Sequence, residues 1–327
     1  MDLIIKPTQA CNFKCTFCSS CNIDEEHHQL PAEAVIRFLD EHDVNTIIVN
    51  GGDPLMMPPS YYEKILEHID SKCMKTTLSF TTNLWDFYLH PDKWIPLFKR
   101  DNVYVATSFQ YGEGRRLGNG APFTEEIFLK VMEKFKAAIG YTPMFISVIT
   151  HDNDNMVIKT VELAKRLGTT CKINPAMKSG RNDYFYPIPM AIEKYLEIID
   201  NGLAEYEHNA KELSRIMHEQ PTICPFNREC YSSIRCMGPQ GELFTCGAMH
   251  DNSIARREQG KKDYALDKYP EDEIAKDFRY IKPQCLGCSM FKLCNGCYKQ
   301  TLDIIESSYQ EEHCRAMKAL ESRLLAL

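Results

Sequence analysis

The sequence predicts an α/β protein in which repeated strand–helix units build a parallel sheet, followed by a smaller cysteine-rich region. Two observations carry this. From residue 1 to about 202, short β-branched or apolar runs alternate with amphipathic stretches, the pattern of βα units around a parallel sheet. Beyond Pro221 and Pro225 the pattern changes to short strands, Gly and Pro turns and closely spaced cysteines.

Six units can be read in the first part. The expected strands are Leu3–Lys6, Thr46–Asn50, Thr76–Thr81, Val103–Ser108, Met144–Ile149 and Thr170–Asn174. Helices are expected after them at Pro31–Glu41, Ser60–Asp70, Lys93–Lys99, Thr124–Ala138, Met156–Leu167 and Met190–Asn201. Leu167-Gly168 reads as a helix stop, since glycine closes a helix in the left-handed conformation without strain. A further acidic helical stretch, Ala204–Glu219, leads into the two prolines. The expected organisation is therefore a first domain at 1–204, a helical bridge at 205–229 and a second domain at 230–327. The tail Gln310–Leu327 reads as an amphipathic helix closing the second domain. In a parallel α/β architecture reactive groups sit on loops after the strands. Cysteines follow the first strand, Gly51-Gly52 the second and Thr82-Asn83 the third.

Composition narrows the class. An apolar fraction of 44% in 327 residues is enough for an ordinary buried core. A formal charge of −7 argues against a nucleic-acid backbone as partner, because phosphate binding needs clustered Lys and Arg. No apolar run approaches the roughly 20 residues of a membrane span. The start Met1-Asp2-Leu3-Ile4-Ile5-Lys6 turns polar too early for a signal peptide, so a cytoplasmic protein with no membrane partner is expected. Fifteen cysteines in such a chain point to metal or cluster ligation, since a disulfide framework belongs to secreted scaffolds.

Cys11, Cys15 and Cys18 form CxxxCxxC directly after the first strand, close enough for three thiolates to hold three corners of one cubane. Three ligands leave one iron open to a bound molecule. Cys21 offers the alternative of a fourth ligand, giving a closed cluster or a zinc site. The triad, with Phe17 before its last cysteine, resembles the defining motif of the radical S-adenosylmethionine (SAM) superfamily. The resemblance implies a partial (β/α)6 TIM-like barrel, a [4Fe-4S] cluster whose open iron binds SAM, and reductive cleavage of SAM to a hydrogen-abstracting 5′-deoxyadenosyl radical. It implies an electron donor such as flavodoxin or ferredoxin. Gly51-Gly52-Asp53-Pro54 resembles the family's GGEP motif with Asp for Glu, and so implies contacts to the SAM amino group. Thr82, Asn83, Ser108, Gln110 and Asn174 fall where the family contacts SAM. Arg115 or Arg116 offers a guanidinium fork for the SAM carboxylate, the alternative being a solvated loop charge; Arg116 is the expected contact.

Eight further cysteines make two sets of four thiolates around the turn Gly238-Pro239-Gln240-Gly241. CxxC pairs alone accept zinc or an iron–sulfur cluster. The full spacing from Cys230 to Cys314 resembles the SPASM domain that follows radical SAM barrels, with a β-hairpin and short helices, which implies two auxiliary [4Fe-4S] clusters and three in all. The family's crossed ligation gives auxiliary cluster I to Cys230, Cys236, Cys246 and Cys297, and auxiliary cluster II to Cys285, Cys288, Cys294 and Cys314. Of the four remaining cysteines, Cys21, Cys73, Cys171 and Cys224, most read as buried small hydrophobes. Cys224 is the candidate hydrogen-atom donor, and Asp251, beside His250, the candidate base.

The resemblance implies modification of a ribosomal peptide: crosslink, thioether, oxidation or epimerisation. Dehydrogenation or epimerisation of a carbohydrate, aminoglycoside or other small metabolite is the alternative, and a non-enzymatic iron–sulfur or zinc protein a third. Because the chain starts at the cluster strand, any peptide leader is expected to bind the barrel or a separate partner. Gly247 after Cys246 departs from the aspartate that sulfatase-maturating relatives carry there, which argues against that reaction.

Overall fold

A computed structural model describes residues 1–20, 28–180, 182, 184–218, 233–258, 263–267, 281–294 and 297–327. Among the described residues eight strands form one sheet in the order β6-β5-β4-β3-β2-β1-β7-β8. The first six are β1 (Asp2–Ile5), β2 (Thr46–Val49), β3 (Thr77–Thr81), β4 (Val103–Ser108), β5 (Phe145–Ile149) and β6 (Cys171–Pro175), all paired in parallel. The connecting helices are α1 (Ala32–Glu41), α2 (Pro59–Ser71), α3 (Trp85–Leu89), α4 (Pro91–Phe98), α5 (Glu125–Ile139), α6 (Val157–Leu167) and α7 (Ile188–Asp200). The expected strands lie within one residue of those observed and the expected helices within two; the short α3 was not foreseen.

Side chains alternate across each strand, so one phase meets the helices and the other does not. Leu3, Ile5, Ile47, Val49, Leu78 and Phe80 are fully buried. Their neighbours Ile4, Ile48 and Ser79 are half-buried, on the face that the helices leave uncovered. Under the sheet Phe80 packs against Tyr62 and Phe98, and Phe87 and Phe135 continue the aromatic stack. Thr124 caps α5 by accepting from the Ile127 N–H, and Gly168 ends α6 at φ +66° as the sequence reading expects.

The helix α8 (His208–Met217) is fastened to β6 by one buried carboxylate. Glu207 accepts from the Ile173 N–H at 2.7 Å and the Ala210 N–H at 2.6 Å, joining the last strand to the cap of α8. The hairpin of β7 (Ile234–Met237) and β8 (Leu243–Phe244) lies within the stretch assigned above to a second domain. Yet β7 pairs in parallel with β1, Ile4 beside Cys236, so the sheet runs unbroken from the βα units into the cysteine-rich region. Beyond it come α9 (Gly247–Glu258), α10 (Phe291–Cys294), α11 (Tyr298–Glu306), α12 (Gln310–Ala319) and α13 (Glu321–Leu324). The expected single tail helix is thus two, burying Met317, Leu320 and Leu324 in the main core.

Burial pushes the Glu207 carboxyl up to about 7 despite its backbone donors. The native state therefore binds this proton more tightly than the unfolded chain. Its contribution to stability is full below the ordinary glutamate value and is lost as pH rises through about 7. Urea unfolding from pH 4.5 to 7.5 is expected to show a loss of about 3 kcal/mol from this group, and Glu207→Gln to flatten that slope.

Candidate active site at the strand ends

The loop after β1 carries Cys11, Cys15 and Cys18, all half-buried. Two segments press against it. On one side Gly51 takes φ +127°, and a Cβ there would lie 2.4 Å from the Thr8 carbonyl oxygen. A Cβ on Gly52 would lie 2.2 Å from the Ala10 carbonyl oxygen, so only glycine fits. Backbone bonds from Gly52 N–H to Thr8 (3.0 Å) and Asp53 N–H to Ala10 (2.8 Å) lock this contact. On the other side Lys14 and Thr16 donate backbone bonds to Arg116 and Gly114, both at 2.9 Å. Gly114 lies under the Phe17 ring.

Asp53 does not face outward. Its buried carboxylate accepts from the Leu55 N–H (2.9 Å), the Thr82 hydroxyl (3.0 Å) and the Asn83 N–H (2.8 Å). The short Asp side chain forms a brace between the β2 and β3 loops. Burial raises it to about 6 against those donors. The Pro54 carbonyl accepts from the Tyr62 hydroxyl at 2.7 Å. Asn83 then carries the brace to the cysteine loop, donating to Asn12 Oδ1 at 2.6 Å, with its Nδ2 4.0 Å from Cys11 Sγ.

Of the two arginines, Arg115 is the one turned inward. It is buried, donates to Ser108 Oγ at 2.9 Å, and its guanidinium lies 5.6 Å from the Phe17 ring centroid. Its Nε is buried with no partner among the described residues. Arg116, the contact expected from sequence, points away, to Glu113 and to the Gly120 carbonyl. The physical reason is alternation along an extended segment, which sends neighbouring side chains to opposite faces. Gln110 is buried and accepts from the Val148 N–H at 3.2 Å, and Asn174 lies half-buried on the uncovered face of β6.

Asp251, the candidate base, is engaged within the fold. It sits buried on α9, in an ion pair with Lys6, and accepts from Ser19 (3.0 Å) and Ser20. Although burial opposes it, Lys6 and His250 hold the carboxyl well below the usual range, so it is ill suited to take a proton. Burial lowers the Lys6 ammonium, but Asp251, Cys236 and Cys18 together outweigh it and the net shift is upward. Lys6, Ser19 and Ser20 had no motif to mark them; a lysine ending an apolar strand was the available signal.

In the C-terminal region Cys285, Cys288, Cys294 and Cys314 line one cavity with Met290, Phe291, His313 and Met317. Burial and the neighbouring thiols of Cys288, Cys314 and Cys285 push Cys294 up to about 12. His313 Nε2 lies 3.3 Å from Cys294 Sγ. Cys236 is fully buried, while Cys246 and Cys297 are half-buried. Cys21, Cys224 and Cys230 lie outside the described residues. Cys171 is buried as expected, whereas Cys73 is exposed, in a turn at φ +52°.

Among the described residues no three His, Cys, Asp or Glu side chains converge as on a single metal ion. A cubane spreads its thiolates over separate irons, and a loop triad and a four-thiol cavity suit that donor set. Residues 5–164 match the radical SAM superfamily. This part of the chain is a radical SAM domain. No curated protein matches the sequence. Native anSMEcpe with bound AdoMet superposes with a TM-score of 0.70 at 17% identity, covering 99% of this chain and 98% of that one. Native anSMEcpe with bound AdoMet and a Kp18Cys peptide gives 0.69 at 16%, covering 99% and 98%. Streptococcus suis SuiB bound to precursor peptide SuiA gives 0.61 at 17%, covering 91% and 72%. The fold of the radical SAM domain and its cysteine-rich extension is shared with all three.

Thr82 serves as donor to Asp53 and acceptor from the Leu84 N–H at 3.1 Å. Thr82→Val takes away one of the three donors to buried Asp53 and the acceptor of the Leu84 N–H. The expected loss is about 1–3 kcal/mol in chemical denaturation, with faster amide exchange at Asn83 and Leu84.

Proposed function

We propose that this chain is a radical SAM enzyme of the SPASM type that abstracts a hydrogen atom from a peptide, with the barrel at 1–204, the bridge at 205–229 and the auxiliary domain at 230–327. The observation that carries the reading is the pairing of a three-cysteine loop inside a radical SAM domain with a separate cavity lined by four thiols.

Cys11, Cys15 and Cys18 hold the first [4Fe-4S] cluster. When bound, that cluster and SAM supply reductive cleavage of the sulfonium to a carbon radical able to take hydrogen from a substrate. Arg115, placed by Ser108 and Phe17, presents a guanidinium to the SAM carboxylate through its unpartnered Nε. Gly51 and Gly52 bring backbone carbonyls to the ligand side, and Asn83, Gln110 and Asn174 border the same end of the sheet. Asp53 holds these loops in place. Cys285, Cys288, Cys294 and Cys314 hold auxiliary cluster II; Cys230, Cys236, Cys246 and Cys297 hold auxiliary cluster I. Four thiolates close each site, so both suit electron transfer better than substrate binding. Cys224 is the proposed hydrogen-atom donor. A peptide substrate is supported by the peptides bound to anSMEcpe and SuiB in structures that share this fold. A separate leader-binding protein, a flavodoxin or ferredoxin as reductant, and a cytoplasmic location complete the proposal.

Anaerobic reconstitution is expected to give about twelve irons and equal sulfide per chain, three cubanes of four. Zinc with little sulfide overturns the cluster reading. Cys15→Ala is expected to abolish SAM cleavage while the far-UV spectrum and thermal transition stay near wild type; persistent cleavage sinks the active-site assignment. For the arginines, equilibrium dialysis under argon distinguishes the roles. Arg115→Met is expected to weaken SAM binding about tenfold or more, the worth of a charge-assisted hydrogen bond, and Arg116→Met less than about threefold. Substrate-stimulated 5′-deoxyadenosine release, with a mass change in a candidate precursor peptide, tests the substrate class.

A further inference from the structure

Lys6 stands at the end of β1, five residues before Cys11, and its side chain is only 4% exposed. Its ammonium reaches Asp251, Ser20 Oγ at 3.3 Å and the Gly247 carbonyl at 3.1 Å. Asp251, equally buried, accepts in turn from Ser19 at 3.0 Å and lies 3.0 Å from His250 Nδ1. Ser19 and Ser20 directly follow Cys18, and Gly247 directly follows Cys246. Cys236, on β7, stands beside Ile4, two residues before Lys6. A single ion pair therefore grips the chain next to a cysteine of the N-terminal triad and next to a cysteine of the proposed auxiliary cluster I. These contacts join residues more than 230 positions apart in sequence.

We propose that Lys6, fixed by Asp251, is a positioning residue that sets the electrostatic environment shared by the N-terminal cluster loop and the Cys236–Cys246 hairpin. The inference rests on the cluster reading above. Its physical content is a sign. Inside the protein a fixed charge acts at low dielectric and is little screened by salt, and the charge around a cluster sets its reduction potential. A positive charge favours the reduced, more negative state. Of the pair, Lys6 is the member whose ammonium touches the Gly247 carbonyl beside Cys246, at 3.1 Å, and Ser20 in the loop after Cys18, at 3.3 Å. The pair is thus net positive toward the auxiliary site. Removing its two halves separately moves the potentials in opposite directions, which a purely structural brace does not do.

The test is an EPR-monitored redox titration of the reconstituted full chain, repeated in a Cys15→Ala background so that the remaining signals come from the auxiliary clusters. Asp251→Asn, which leaves the lysine uncompensated, is expected to raise the potentials about tenfold in the reduction equilibrium, about 59 mV for one electron. Lys6→Met is expected to lower them by a similar factor. Should Lys6→Met fail to load iron, Lys6→Met with Asp251→Asn contains no unpaired buried charge and carries the test: it is expected to retain the clusters and lower the auxiliary potential. Shifts of the same sign in the two single variants, or an unchanged potential in the loaded double variant, overturn the inference. Wild-type iron and sulfide counts decide the underlying cluster reading independently, because normal loading with unmoved potentials condemns only the role of Lys6.

Discussion

The mouth of this barrel depends on backbone meeting backbone without side chains between. Gly51 and Gly52 lie so close to the Thr8–Ala10 carbonyls that no Cβ fits, and Gly114 and Gly118 approach the other flank of the same loop. Close contact fixes where the loop leaves β1, and three cysteines spaced along it inherit that position. A loop carrying thiolates for a shared cluster needs such an external mould, because its own sequence between Cys11 and Cys18 contains no regular element longer than a turn.

Polar groups then do what apolar packing cannot, which is to fix direction. Asp53 is spent on Leu55, Thr82 and Asn83, and the last of these reaches across to Asn12. Asp251 is spent on Lys6 and two serines. In both cases a buried carboxylate that a motif search would assign to chemistry is saturated by donors and works as a joint. Buried charges of this kind are tolerated only when they are paired or hydrogen-bonded, and the two sites meet that condition. The same reasoning separates Arg115, whose Nε is unanswered among the described residues, from Arg116, whose contacts are ordinary loop contacts.

How much of this was legible in the sequence follows from the range of each interaction. Strand positions were readable because alternation is local, so Val103–Ser108 and its neighbours emerge from the run of residues itself. The grouping of Cys285, Cys288 and Cys294 was readable because they lie close together in the chain, and with Cys314 they line one cavity. Side-chain direction on an irregular loop was not, as the two arginines show. Nor was the parallel pairing of β1 with Ile234–Met237, since nothing in either short strand specifies a partner so remote. Lys6 escaped notice for the same reason: its meaning lies in residues 19, 20, 247 and 251, which only the folded chain assembles.

That pairing gives the first strand an unusual place in the order of assembly. In a sheet grown from successive βα units, each strand finds its neighbour soon after leaving the ribosome, but β1 has one edge left open until residue 234 has been made. Contacts across such a separation are slow to form, because a long loop must close before they give any return. The strand that leads into the cysteine triad therefore completes its pairing long after the loop itself has been made.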